Sequence, residues 1–283
     1  DFTDKTGVVV HPTLPHGDLH LSEYEKQYPI VRGKYWVIVP GGKTDATVKV
    51  WPTSSYQEVV RLGAERNWHF LQEGAAKPRH FHPPLSGALS LVGRTTIRDL
   101  ILNIYHSQGL VCGITLPMHI AAALQKPCVV LAGGREEPWW EHYANEIAGQ
   151  FGQRCSPVTV PHRFLNTFGQ LDCCETRGCW RQRVVKLHDG NMAYEKSLCE
   201  YPVVVPGEPT AKCMSMITPQ QVVDAIDSYD GAWSPVPPPI IVRSPSLTAA
   251  AVARPVAVPH LLRSTAAPDE SKTRMTCCVL LHG

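Results

Sequence analysis

The alternation of apolar and polar positions divides the chain into an ordered half and a tail. Residues 35–39, Tyr-Trp-Val-Ile-Val, form a continuous apolar run. Such a run fits a strand covered on both faces, as in a parallel sheet. Residues 68–72 and 89–92 read as further strands. Between the first two, a helix from about Ser54 turns Tyr56, Val59 and Val60 inward, with Ser54 and Gln57 or Ser55 and Glu58 spaced to cap it. A second helix begins at Thr95 or Thr96, because Ile97, Leu100, Ile101 and Ile104 recur at helical spacing. Residues 109–134 compress a buried strand (110–112), a turn, a small-residue helix opening near Pro117 and another buried strand (127–132) into one βαβ unit. Strands alternating with helices predict a doubly wound parallel sheet.

Outside that block the pattern weakens. Ser22 and Glu25 have capping-box spacing for a short helix within an arm over 1–32. Residues 151–213 hold no period for more than a few positions. Order returns at Thr218, which precedes Pro219 and Gln221 in a capping box and starts a helix with Val222, Val223 and Ile226 on one face. Residues 232–283, rich in Pro, Ala, Val and Ser, read as disordered. The expected division is an arm (1–32), a Rossmann-like domain (33–150), a Cys-rich segment with a closing helix (151–231) and the tail.

Composition narrows the function classes. A net charge of +2 over 283 residues is too small to imply nucleic acid. No apolar run reaches the ~20 residues that span a bilayer. The chain starts at Asp1 without a signal-peptide pattern, which fits a processed chain or a fragment. Five of the ten Cys fall between Cys173 and Cys213.

Two loops carry the candidate chemistry. In a parallel sheet, ligands collect at the carboxyl ends of the strands. The helix entry at Thr115, Met118 and His119 lies at such an end, and helix N-termini attract phosphate. The loop after residue 39 supplies Gly42, where the backbone can approach a ligand, together with Lys43 and Lys49. Amide groups plus lysine are what a diphosphate needs; a solvated turn and a well-packed Ala-rich helix are the plain alternatives. Gly134, Arg135 and Glu136 end the last strand of the unit, at the same edge, and Gln72 ends its own strand within reach of a ribose or base. Trp139 and Trp140 follow, with ring stacking on an adenine or an acceptor, or cover of the sheet edge, as their readings. His80 and His82 belong to a loop, and Cys112 and Cys128 to buried strands as inert thiols.

Lys49-Val-Trp-Pro52, the segment 115–127 and Leu131-Ala-Gly-Gly-Arg-Glu-Glu-Pro138 together resemble the donor-binding half of the family 9 glycosyltransferases, the heptosyltransferases of lipopolysaccharide synthesis, over about residues 33–140. The resemblance implies one half of a GT-B fold and a cytoplasmic enzyme. It implies inverting transfer of a heptose-like sugar from a nucleotide diphosphate donor such as ADP-heptose to a glycan or protein. It places Lys49 on the diphosphate and Thr115, Met118 and His119 around phosphate and sugar, with no divalent metal required there. Ile114 and Leu116 stand where the family has Asp and Gly. The carboxylate base of these enzymes comes from an acceptor domain for which the 32-residue arm is too short, so a missing N-terminal domain is expected. A non-catalytic nucleotide-sugar-binding module, or a metal-stabilised interaction protein, is the alternative.

By spacing, Cys174, Cys179, Cys199 and Cys213, with Cys173 competing for a place, divide between a tetrahedral thiolate site and disulfides. The segment is similar to the Cys-rich finger of autotransporter heptosyltransferases, and that similarity implies a structural metal, iron or zinc.

Overall fold

The computed structural model describes residues 19–141, 160–229 and 240–241. A short helix α1 (Glu23–Gln27) opens with the Ser22–Glu25 capping box and is followed by β1 (Val31–Arg32). Strand β2 (Trp36–Val39) leads into β3 (Gly42–Lys43), a 3-10 turn (Thr44–Lys49) and α2 (Thr53–Glu65). Next come β4 (Phe70–Gln72), β5 (His80–Phe81), β6 (Leu89–Ser90) and α3 (Ile97–His106). The βαβ unit is β7 (Gly109–Gly113), α4 (Leu116–Ala123) and β8 (Cys128–Gly133). Beyond it lie α5 (Pro138–Glu141), β9 (His162–Asn166), α6 (Met192–Glu195), β10 (Pro202–Val205), β11 (Glu208–Ala211), α7 (Lys212–Ser215), α8 (Pro219–Asp227) and β12 (Ile240–Ile241).

Six strands form one parallel sheet in the order β6-β4-β2-β7-β8-β9. Its two faces are buried against different helices, which is why β2, β7 and β8 are apolar at every position. Trp36, Ile38, Val111 and Val129 pack with Tyr56 and Val59 of α2 and Val222 and Ile226 of α8. Val37, Leu110, Cys112 and Val130 pack with Ile101 and Ile104 of α3 and Met118 and Ala121 of α4. Cys112 and Cys128 are fully buried neighbours, with their sulfurs 3.8 Å apart, and burial pushes the Cys128 thiol well above its usual range. The capping boxes at Thr96 and Thr218 are both formed.

Two expectations are corrected. Ser54 and Ser55 do not cap α2: Pro52 occupies the cap position, Gln57 bonds Ser86 instead, and the Thr53 amide donates to Glu208, 155 positions away, at 2.9 Å. A distant carboxylate does what the local hydroxyls were expected to do. The unpatterned region after 150 contributes β9, the sheet's edge strand, where only His162 of its five residues is buried. Within the segment expected to be disordered, Ile240–Ile241 pairs antiparallel with β1, while the rest of 232–283 lies outside the described residues.

Candidate functional site

The carboxyl edge of the sheet gathers charge around Lys49. The 3-10 turn carries Lys49 over the end of β7, where its carbonyl oxygen would stand 3.4 Å from a Cβ added at Gly113. Thr115 follows two residues later at the helix entry, so both loops singled out in the sequence reach the same edge. Lys49 Nζ lies 2.5 Å from Glu136 Oε1, just beyond the end of β8. Arg135 Nη1 donates to the same oxygen. Glu136 is 3 % exposed, and its Oε2 has no hydrogen-bond partner. Two cations therefore share one carboxylate where β7 and β8 end. Glu136 is the member whose central place in this cluster has no local sequence signal, because the pairing joins residues 87 positions apart.

Other candidates are placed differently. Thr115 holds the cap position of α4, but its hydroxyl turns back toward the Gly113 carbonyl at 3.5 Å and caps nothing. The Met118 amide is occupied by the Thr115 carbonyl at 3.0 Å, and the Met118 carbonyl accepts from His162. The backbone of Met118 is thus engaged within the protein. His119 is exposed on the first turns of the helix. Gln72 is fully buried and its amide is spent on Pro83 and Leu85, holding that loop. Gly42 and Lys43 form a two-stranded ribbon with β5. The preceding Gly41 has φ +80°, and a Cβ there would fall 1.9 Å from the Phe81 carbonyl, so only glycine makes this turn. His82 bonds the Pro40 carbonyl at 2.7 Å, and burial lowers its pKa.

The Cys-rich segment forms the wall behind this edge. Gln182 accepts from the Val48 amide at 3.3 Å, and the Val184 amide donates to Thr47 at 3.0 Å. Arg183, fully buried, binds Asp189 through both terminal nitrogens at 2.9 and 2.7 Å and lies 3.6 Å from Asp45 in the 3-10 turn. Arg135 Nε donates to the Arg181 carbonyl at 2.5 Å. The turn that carries Lys49 and the residue after Gly134 are thus both tied to the segment between Cys173 and Cys199.

Cys173, Cys179, Cys199 and Cys213 line one nearly enclosed hollow of about 10 Å³ together with Val48 and Arg135. That is the lower limit of what admits one water. Cys174 joins this cluster: its sulfur would stand 3.0 Å from a Cβ at Gly134, which also lines the hollow, and its thiol hydrogen-bonds that of Cys173. Gly134, expected at the donor, thus serves the close approach of this segment. Burial first, and then Cys174 and Cys179, push the Cys173 thiol up to about 12. Burial is likewise the first cause that raises Cys213 to about 11. The thiols are held neutral by burial and by one another. Among the described residues, no three or more His, Cys, Asp or Glu side chains stand in metal-ligating arrangement. A second site the sequence reading missed is Glu73, 1 % exposed at the end of β4. It accepts from Thr95 at 2.6 Å and Asn103 at 2.7 Å, and burial raises its pKa to about 7.

The fold is an α/β domain with a charged carboxyl edge. Residues 2–157 match the family model "Glycosyltransferase family 9 (heptosyltransferase)". The chain belongs to that family. It is similar to the E. coli ADP-heptose lps heptosyltransferase II (TM-score 0.44, 16 % identity, 75 % of this chain and 52 % of that one). It is similar also to the glycosyl transferase family 9 protein from Veillonella parvula DSM 2008 (0.45, 14 %, 76 % and 53 %). A third similar structure is the iron-containing dodecameric glycosyltransferase TibC from enterotoxigenic E. coli H10407 (0.42, 16 %, 70 % and 45 %). The chain spans about half the length of these solved structures. No curated protein sequence matches it. No helix among the described residues is long and apolar enough to cross a membrane.

Proposed function

We propose that this chain is the donor-binding half of a glycosyltransferase that takes a heptose-like sugar from a nucleotide diphosphate, with ADP-heptose as the type of donor. The observation that carries the reading is the convergence of Lys49 and Arg135 on one carboxylate at the carboxyl edge of the sheet, beside the end of β7. An ammonium has three N–H donors and Glu136 takes one, so the others can meet phosphate oxygens. The reaction is inverting displacement. The acceptor oxygen attacks the anomeric carbon, the bond from that carbon to the diphosphate oxygen breaks, and the hydroxyl proton passes to a carboxylate of the acceptor half facing this edge. Lys49 and Arg135 stabilise the negative charge that grows on the departing diphosphate, the point at which fixed cations lower the barrier.

The thiols gathered at this hollow, Cys174, Cys179, Cys199 and Cys213 with Cys173 competing for a place, are the residues that would hold a structural iron or zinc. A cation there would reverse the upward pull that burial exerts on these thiols. It would fix the wall to which the Lys49 turn is hydrogen-bonded. Calorimetric titration with ADP tests the donor reading: the chain binds ADP, and Lys49→Ala weakens binding by at least about tenfold, the value of one charged contact. Equal affinities of the two proteins would refute it.

A further inference from the structure

Next to Arg135, two tryptophan rings face solvent. Trp140 is 64 % and Trp180 39 % exposed. Their centroids are 5.6 Å apart at an interplanar angle of 85°. Trp180 holds φ at +51°, a left-handed conformation that bulky residues rarely adopt, and its amide donates to the Arg135 carbonyl at 3.3 Å. The guanidinium of Arg135 stacks over the Trp180 ring at 5.3 Å. Beside this ring opens a hollow of about 230 Å³ lined by Arg177, Gly178, Trp180, Arg181 and Glu200 and backed by Cys173 and Cys179 of the thiol cluster. A water in the liquid takes about 30 Å³, so the space suits a solute as large as one sugar ring. Arg181 and Glu200 form an ion pair on its rim. Gly178 is required: a Cβ there would meet the Arg135 carbonyl at 2.6 Å and Glu137 Oε2 at 2.8 Å. That Glu137 oxygen is buried and has no hydrogen-bond partner.

We infer that the Trp140–Trp180 corner and the hollow beside it form a saccharide subsite for the acceptor, placed next to the donor edge by Arg135. This rests on the donor reading above. An exposed indole face accepts the C–H face of a pyranose, while a planar arginine–carboxylate pair offers donors and acceptors at the spacing of neighbouring hydroxyls. The walls are charged, which disfavours an apolar partner. The two rings stand nearly perpendicular, so they cannot sandwich a flat nucleotide base, the other ligand an indole would take.

The test uses methyl α-D-glucopyranoside, methyl α-D-mannopyranoside and lactose as probes. Saturation-transfer NMR is recorded on the wild-type chain, Trp180→Ala and Trp140→Ala, and ADP is titrated separately into the wild type. The expected result is contact with at least one glycoside, weakened about tenfold in each variant, which is the value of one aromatic contact. Trp140 is the more exposed ring, so its variant keeps the test meaningful if Trp180→Ala misfolds. Absence of contact with all three probes, contact that persists in Trp140→Ala, or displacement of the glycoside by ADP would overturn the subsite. If ADP binds while the glycosides do not, the subsite falls and the donor reading stands. If ADP itself does not bind, the donor reading falls.

Discussion

Replacing Glu136 by Gln separates the structural role of the charge cluster from its ligand-binding role, because the two effects have opposite signs. Glu136 is buried and compensates Lys49 and Arg135 through one oxygen. Gln keeps the shape and an acceptor oxygen but removes one negative charge. Losing one partner of a fully buried pair costs about 3–5 kcal/mol. The retained acceptor and the 21 % exposure of the Lys49 side chain reduce this to about 1–3 kcal/mol. For a diphosphate at the same edge the change is favourable. Removing a like charge about 6–8 Å away is worth about 2 kcal/mol at an effective dielectric near 20. Screening trims that to about 1 kcal/mol, a gain of about fivefold in affinity. Urea unfolding and ADP calorimetry on the same preparation read both effects. Lower stability with tighter ADP binding is the expected pair. Lower stability with unchanged or weaker ADP binding would refute the placement of these cations on the diphosphate.

Two further outcomes follow from buried groups elsewhere. Elemental analysis of the purified chain is expected to find about one iron or zinc per molecule, held by the thiol hollow, and a strong chelator is expected to lower the melting temperature; a metal-free chain with an unchanged melt would exclude a metal at the thiol hollow. Glu73 has a folded pKa of about 7 against an ordinary 4.5, raised by burial. The folded state then keeps a proton that the unfolded chain has released, so this carboxyl's contribution is intact below pH 4.5 and is lost as pH rises to 7. Glu73→Gln removes that loss. The variant is expected to exceed wild-type stability by about 2–3 kcal/mol at pH 8 and not at pH 4.5, and parallel urea midpoints across that range would contradict this.

What was legible in the sequence was local. The capping boxes at Ser22 and Thr218 formed because both partners lie within one helical turn, and the helix expected to start at Thr95 or Thr96 is capped by Thr96. Strands β2, β7 and β8 announced burial on both faces through unbroken apolar runs. The failures share a cause, which is long sequence separation. Ser54 and Ser55 lost the end of α2 to Glu208, and no residue pattern near Thr53 records that partner. Strand β9 buries one residue in five, so it has neither alternation nor an apolar run, and its pairing with β8 supplies the order. At the site, Lys49 and Arg135 were visible as residues near a strand end. Glu136 as their shared counterion, Arg183 as the tie to Asp45, and the gathering of the thiols around one hollow arise only when the segment after Cys173 packs against the 3-10 turn.

The central claim is that ammonium and guanidinium meet a diphosphate where β7 and β8 end. A crystal structure of the chain with ADP tests it most directly. The account predicts the β-phosphate within hydrogen-bonding distance of Lys49 Nζ, with Arg135 beside it and Glu136 yielding part of its contact. ADP seated anywhere else, with the Lys49–Glu136 pair unchanged, would contradict it.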